Sequence, residues 1–260
     1  LDPINKTEAE LEDILHHTLL DDEDLSAETI CLLEQISNNL QPMMDDKRTK
    51  ITEEHFRSFY KCTPEDKSAS PSGLHLGHYK SAASNDTFSF VLWSIICMAY
   101  QNSFCLDRWK LSATTLLEKI PGFPKIHKFR TIHIIESDLN FVMRFIWGRE
   151  FMAHNEQNDG FHDNQYGGRK GRQPQSAILN KVLTLDIIRY NAEDAGLIDN
   201  DAKACYDRVL PYLTAFMLRR LGMPYFLSRF MCTVLQDMEY KIKLSTGMTK
   251  SYSNKDRDIF

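Results

Sequence analysis

The sequence predicts an α+β fold that is rich in helices. Apolar residues recur at helical spacing in several segments, and shorter apolar runs between them are typical of strands. The two kinds of segment do not follow a strict strand–helix–strand order, which favours α+β over a doubly wound α/β sheet. The chain has 260 residues, of which 42% are hydrophobic and 26% charged, and this is enough to bury a core.

Two parts of the chain differ in composition. Residues 1–67 are predicted to form a helical, acidic lead-in, with one helix capped by Ser26 and a second capped by Thr52. This part holds 17 acidic and 7 basic residues, whereas residues 68–260 hold 19 acidic and 24 basic residues. A mildly basic second part is compatible with a nucleic-acid partner, and solvated surface charge gives the same count.

The second part begins with a loop over residues 68–73 and continues with helices and strands in irregular order. Helical spacing, with Gly and Pro at helix ends, predicts helices over residues 86–104, 138–154, 174–190, 210–221 and 225–236. Short apolar runs predict strands over residues 112–120, 130–136, 196–202 and 239–245. Pro121 and Gly122 are expected to form the turn between the first two strands. The helix that starts at Pro174 is expected to carry an apolar stripe of Ile178, Val182, Leu185 and Ile188.

The chain is expected inside the cell, in the nucleus or the cytoplasm, without a membrane partner. Its first residues resemble no signal peptide. Residues 88–104 are apolar but interrupted by polar side chains, which predicts a buried helix and not a membrane span. The six cysteines form no Cys-x-x-Cys pair, so free thiols in a reducing compartment are expected.

Residues 197–209 are the segment most indicative of chemistry. A short apolar run leads directly into carboxylates, and Asp199 and Asp201 would lie on the same face of a strand. Carboxylates at the end of a buried strand usually need a partner such as a divalent cation. A solvated acidic turn before a helix has the same pattern, and the spacing alone leaves both interpretations open.

Residues 201–207, Asp-Ala-Lys-Ala-Cys-Tyr-Asp, resemble the first catalytic motif of reverse transcriptases of the non-LTR (LINE-type) retrotransposon family. The resemblance implies that Asp201 is catalytic and binds two Mg²⁺ ions, with Mn²⁺ as a substitute. It also implies that Ala202 and Tyr206 contact the nucleotide, and that the aromatic ring of Tyr206 blocks a 2′-hydroxyl. Asp199 has no aromatic residue five positions later, so the metal is assigned to Asp201. Cys205 takes a small-residue position and is expected to pack.

Two earlier stretches resemble the same family in the same order. Residues 70–77 resemble its Ser-Pro-Gly loop, although the usual Asp-Gly pair is missing. Residues 116–122 with 129–132 resemble its fingers hairpin, which implies that Lys119 and Arg130 grip the incoming triphosphate. A guanidinium can bind such an anion in a bidentate manner. Glu118 and Thr131 replace the usual prolines, and two ordinary hairpin surface charges are the alternative interpretation.

A third stretch, residues 164–172, resembles the family's Gln-aromatic-Gly loop before a helix. The resemblance implies that Arg169, Lys170 and Arg172 contact nucleic-acid phosphates, since glycines let a backbone approach a strand closely. Gly168 stands where phenylalanine is common in the family. A flexible basic loop without a ligand has the same composition.

Taken together, the resemblance covers residues 68–260 and implies the fingers and the first half of the palm of a right-hand polymerase. The implied reaction is RNA-directed DNA synthesis, with an RNA template, a DNA primer and deoxynucleoside triphosphates as partners. The family's next motifs, Gly-x-x-Gln-Gly and a Tyr/Phe-x-Asp-Asp hairpin, do not occur in these 260 residues. The fragment alone is therefore expected to be inactive, because two-metal phosphoryl transfer needs carboxylates on both ions.

Two alternatives stay open at the level of sequence. A viral-type RNA-dependent RNA polymerase also has spaced aspartates, which Asp201 and Asp207 satisfy, but the aromatic residue at Tyr206 argues against an enzyme that accepts ribonucleotides. A non-catalytic, nucleic-acid-binding remnant of a retroelement would also account for the replaced prolines and the missing motifs.

Overall fold

A computed structural model describes residues 26–67, 70–125, 128–200 and 211–253. In this part of the chain the fold is α+β, as predicted, with a helical body and one small mixed sheet. The helices are α1 (Ala27–Ser37), α2 (Asp46–Thr49), α3 (Glu53–Cys62), α4 (Leu76–Ala83), α5 (Asp86–Gln101), α6 (Ser137–Phe145), α7 (Met152–Gln157), α8 (Pro174–Tyr190), α9 (Pro211–Arg220) and α10 (Tyr225–Asp237). The strands are β1 (Leu111–Glu118), β2 (Phe129–Ile134), β3 (Glu239–Leu244), β4 (Gly247–Met248) and β5 (Tyr252–Ser253).

The helical body is held together by aromatic side chains. Phe56 and Tyr60 of α3 contact Phe141 of α6, with ring centroids 5.9 and 6.0 Å apart. Trp109, in a short 3₁₀ helix before β1, is fully buried and meets Phe230 of α10 edge-on at 5.9 Å. Such pairs contribute about 1 kcal/mol each beyond the burial of their area. Because α3 lies in the predicted lead-in, part of that segment shares a core with later helices, and the boundary at residue 67 stays a prediction.

The predicted cap of the second helix is confirmed in detail. The Thr52 hydroxyl accepts a hydrogen bond from the His55 backbone amide, and the His55 ring accepts one from the Thr52 amide, both at 3.2 Å. Two amides of the first turn are thereby satisfied within four residues of sequence. Helix α1 likewise begins immediately after Ser26.

The sheet brings distant parts of the chain together. Its order is β2-β1-β3-β4, and β5 also pairs with β3. Strands β1 and β2 form the predicted antiparallel hairpin, whereas β1 and β3 are parallel, with Ala113 beside Lys241. After β3 the chain turns, and β4 and β5 both pair with β3 in the antiparallel direction. The register shifts by one residue between these two pairings, which is a β-bulge.

One predicted strand, residues 196–202, is wrong in its described part. Residues 196–200 are exposed and have no regular structure, and residues 201 and 202 lie outside the described part of the chain. No described strand pairs with this segment, and an isolated strand leaves its backbone groups without partners. The helix predicted over residues 138–154 is also interrupted, by a π-helical turn at Ile146–Phe151 between α6 and α7.

Helices α5 and α8 differ in what covers their apolar residues. Helix α5 buries Ile96 and Tyr100 in the core, as predicted. Helix α8 begins and ends where predicted, but none of its residues is buried: Ile178 is 64% exposed and Val182 is 46% exposed. The apolar spacing therefore predicted the helix correctly but not which surface packs against it. None of the helices in the described ranges is both long and apolar enough to cross a membrane.

Candidate nucleotide and nucleic-acid binding site

The β1–β2 hairpin places Lys119 and Arg130 on the same face. Arg130 pairs with Leu117 in the ladder, which ends at Glu118 and Phe129. One residue beyond that end, the Lys119 amide donates to the carbonyl oxygen of Lys128 at 2.9 Å. Paired residues of an antiparallel ladder share a face, and so do residues two apart on one strand. Lys119, Lys128 and Arg130 therefore project from one side of the hairpin, with diagonal neighbours about 7 Å apart.

These hairpin cations are available to a ligand. All three are exposed, and none makes a hydrogen bond or an ion pair through its side chain with a residue of the described ranges. The nearby carboxylate of Glu118 belongs to the opposite face, where its Oε2 accepts a hydrogen bond from the amide of Gly122 at 2.9 Å. Gly122 has a φ of +80°, a conformation that favours glycine, so this contact also holds the turn.

Glu118 and Thr131, which stand where the resembling family has prolines, fit the hairpin without disturbing it. Glu118 pairs with Phe129, and Thr131 pairs with Leu116, both in the regular register. The hairpin that the sequence predicted is therefore present. The roles of Lys119 and Arg130 as triphosphate ligands stay predictions.

Arg169 is engaged by the protein itself. Its guanidinium donates two hydrogen bonds to the Glu156 carboxylate at the end of α7, each 2.7 Å long, and a third to the carbonyl oxygen of His162 at 2.9 Å. Only 6% of the Arg169 side chain is exposed. The hydrogen bonds from Arg169 hold the pKa of the Glu156 carboxyl below its usual value. In the described structure Arg169 thus holds the loop against α7.

Lys170 and Arg172 are more open to solvent than Arg169. Lys170 is exposed and makes no polar side-chain contact within the described ranges. Arg172 lies over the Tyr166 ring at 5.9 Å and makes a long ion pair of 3.5 Å with Asp163. Gly168 and Gly171 both have positive φ values, +75° and +78°, which shape the turns that present these side chains. Their contact with nucleic acid stays a prediction.

A groove of about 600 Å³ lies between α8 and residues 192–197. Tyr166, Asn180 and Lys181 are among its lining residues, so it adjoins the basic loop. The ammonium group of Lys181 binds both carboxylate oxygens of Asp199, at 2.6 and 2.8 Å. The sequence predicts Asp199 on a strand beside the metal-binding Asp201. In the structure Asp199 has no strand and forms an ion pair with Lys181 of helix α8.

The catalytic candidates Asp201, Ala202 and Tyr206 lie outside the described residues. Within the described ranges, no group of three or more His, Cys, Asp or Glu side chains could hold a metal ion. Magnesium binding at Asp201 therefore stays a prediction. No protein-family model matches the chain, and no curated protein sequence matches it. Any assignment depends on the motifs and on the geometry of the hairpin and the basic loop.

Sequence reasoning missed a buried acidic pair at the base of the hairpin. Glu136 and Asp138, just after β2, are fully buried. Glu136 accepts a hydrogen bond from the Ser72 amide at 2.7 Å, and the Ser70 hydroxyl accepts one from the Ser137 amide at 2.9 Å. These contacts fasten the loop that resembles the family's Ser-Pro-Gly motif to the start of α6. Two acids at a predicted helix start were the available signal.

Asp138 fastens the hairpin to the core. Its Oδ1 accepts hydrogen bonds from the Trp109 indole at 2.7 Å and from the Leu139 amide at 3.0 Å, and its Oδ2 pairs with Arg108. Trp109 precedes β1 and Asp138 follows β2, so both ends of the hairpin are joined to one carboxylate. The hairpin therefore projects from a rigid base.

Proposed function

We propose that the chain is the fingers and partial palm of a reverse transcriptase, that is, part of an RNA-directed DNA polymerase. The observation that most supports this proposal is the hairpin. Lys119 and Arg130, the two basic residues identified from sequence, lie on one face of it and lack partners among the described residues. The order of the four motif-like stretches along the chain supports the same proposal. An RNA template, a DNA primer and deoxynucleoside triphosphates are the partners it requires.

In the proposed reaction, the 3′-hydroxyl of the primer attacks the α-phosphate of the nucleotide and pyrophosphate leaves. Asp201 would hold magnesium, which stabilises the negative charge that develops on the phosphate oxygens. The hairpin cations would bind the β- and γ-phosphates, whose charge needs several donors in a fixed arrangement. The aromatic ring of Tyr206 would exclude nucleotides that carry a 2′-hydroxyl.

The rigid base of the hairpin supports this division of roles. A triphosphate is positioned accurately only when the groups that bind it are held by packed neighbours. Asp138 joins the two ends of the hairpin, and Glu136 joins the neighbouring loop to the same helix start. Lys170 and Arg172, on a loop that Arg169 holds in place, would contact the nucleic-acid backbone.

Equilibrium binding of a fluorescent deoxynucleoside triphosphate to the chain tests the hairpin's role. Lys119→Gln and Arg130→Gln are each expected to weaken binding about tenfold, because each removes one charge-assisted contact to phosphate. Glu118→Gln is the matched control, since it lies on the opposite face and keeps an oxygen for the Gly122 amide. Equal affinity in all three variants would show that the hairpin does not hold the triphosphate.

A further inference from the structure

The basic face of the sheet extends beyond the hairpin. Lys119, Lys128 and Arg130 lie on the same face as Ala113, because alternate residues of β1 share a face. Ala113 pairs with Lys241 of β3. The basic residues of the hairpin and Lys241 therefore belong to one surface.

A fifth cation completes this surface. Lys243 lies two residues after Lys241 on β3, so it projects from the same face. We call this surface the basic face and define it by five residues: Lys119, Lys128, Arg130, Lys241 and Lys243.

The opposite face of the sheet has a different composition. Its described positions carry no lysine or arginine, and they include Leu116, Glu118, Thr131, His133, Tyr240 and Ile242. The rings of His133 on β2 and Tyr240 on β3 lie 4.9 Å apart across β1, so both project from the same face. This contact supports the assignment of faces independently of the backbone register. The basic residues of the sheet are thus segregated onto one side.

The cations of the basic face are not neutralised by the described protein. Four of them are exposed and Lys241 is half-buried, and none forms an ion pair with a residue of the described ranges. Glu239, the single acid at a described position of this face, lies two residues before Lys241 and makes no ion pair with it. Repulsion among unpaired cations is relieved when an anion binds between them.

The dimensions of the basic face suit a polyanion. Lys241 is level with Ala113, six residues along β1 from Lys119, so the cations span about 20 Å along the strands. They also span three strands, or about 10 Å across the sheet. One triphosphate cannot cover such a band, whereas successive phosphates of a nucleic-acid strand can. Leu117 and Ile132 are half-exposed between the cations and can contact sugars and bases.

We propose that the basic face binds a single-stranded segment of nucleic acid, with Lys241 and Lys243 contacting phosphates beyond those held by the hairpin. The proposal deepens the proposed function, on which it rests for the identity of the bound strand, while its own evidence is the strand register and the charges. In a polymerase the bound segment would be the unpaired template. Strand β3 is thereby given a binding role in addition to its place in the sheet.

Binding of a fluorescein-labelled oligonucleotide of about 15 nucleotides, measured by anisotropy at several salt concentrations, tests this role. Lys241→Gln/Lys243→Gln is expected to weaken binding about tenfold at low salt. It should also reduce the slope of log K against log salt by about 1.4, since each lost phosphate contact removes about 0.7. Lys47→Gln/Lys61→Gln is the control, because it removes the same charge from exposed residues of α2 and α3. It should leave both quantities unchanged.

Two results would overturn the proposal. The first is a Lys241→Gln/Lys243→Gln variant that binds the oligonucleotide as the control variant does. The second is a variant that loses affinity for a fluorescent deoxynucleoside triphosphate but not for the oligonucleotide, which would make β3 part of the nucleotide site. Thermal unfolding of each variant checks the fold, and Lys243→Gln alone serves if the double variant unfolds early. If the chain has no polymerase activity, loss of oligonucleotide binding in the Lys241→Gln/Lys243→Gln variant would still support the proposal.

Discussion

Glu156 and Arg169 form a bidentate ion pair that joins the end of α7 to the loop before α8, and both hydrogen bonds are 2.7 Å long. The partners are thirteen positions apart in sequence, so the pair closes the loop on itself. The neighbouring Lys170 and Arg172 are presented to solvent from this closed loop. The pair therefore connects the stability of the loop to the placement of its basic residues.

Glu156→Gln should open this loop, because a neutral amide cannot match the charge-assisted pair with Arg169. Limited trypsin digestion should then cut after Lys170 and Arg172 several-fold faster than in the wild type. Glu54→Gln, an exposed residue of α3, is the control and should leave the rate unchanged. An unchanged rate in Glu156→Gln would show that the pair does not hold the loop.

The same pair predicts a pH dependence of the loop. Because the pKa of Glu156 is lowered in the folded protein from 4.5, its contribution is complete above 4.5 and is lost as the pH falls through the lower folded value. Hydrogen exchange of the loop amides should therefore show protection, corrected for the intrinsic exchange rate, that is constant at neutral pH and decreases in acid. In Glu156→Gln this acid-dependent decrease should be absent.

Asp138→Asn should destabilise the fold by about 2–3 kcal/mol. The variant keeps an oxygen for the Trp109 indole but removes the ion-pair partner of the largely buried Arg108 guanidinium, and breaking a buried ion pair is costly. Urea unfolding followed by tryptophan fluorescence measures the change. Asp107→Asn is the matched control, since that carboxylate is exposed and pairs with Lys110 at the surface. A loss below about 0.5 kcal/mol in Asp138→Asn would contradict a structural role for this ion pair.

Gly222→Ala should destabilise the fold by about 3 kcal/mol. Gly222 has a φ of +85°, which costs an alanine about 1–2 kcal/mol, and the new methyl group would overlap the Pro42 carbonyl oxygen. Gly168→Ala isolates the backbone effect, because Gly168 has a similar φ of +75° but open space around it. That control should cost only about 1 kcal/mol. Equal losses in the two variants, measured by thermal unfolding, would mean that residues near Pro42 move aside freely.

Local signals in the sequence predicted most elements of the described fold. The Thr52 cap lies within its own helix turn, the Pro121-Gly122 turn joins adjacent strands, and Pro174 marks the start of α8. Each of these features depends on residues close in sequence, so neighbouring side chains suffice to specify it. The two basic residues of the hairpin were instead selected by the resemblance to a family motif, and the local register then places them on one face.

Non-local pairings could not be predicted in this way. The parallel pairing of β1 with β3 joins residues more than a hundred positions apart, and only that register places Lys241 beside Ala113. The engagement of Arg169 by Glu156 likewise depends on how the loop folds back. The strand predicted at residues 196–202 was wrong over its described part, because an apolar run does not supply a partner strand. The sequence motifs thus identified basic residues without showing which of them form ion pairs within the protein.

Magnesium-dependent primer extension on an RNA template tests the central claim most directly. The protein to use is one that continues past Phe260 through Gly-x-x-Gln-Gly and Tyr/Phe-x-Asp-Asp motifs. Asp201→Ala is expected to reduce extension at least a thousandfold, as loss of a metal-binding carboxylate should. Asp199→Ala, which removes a carboxylate two residues away that pairs with Lys181, should retain most of the activity. Substantial extension by Asp201→Ala, or equal losses in both variants, would contradict the assignment of the chain to a reverse transcriptase active site.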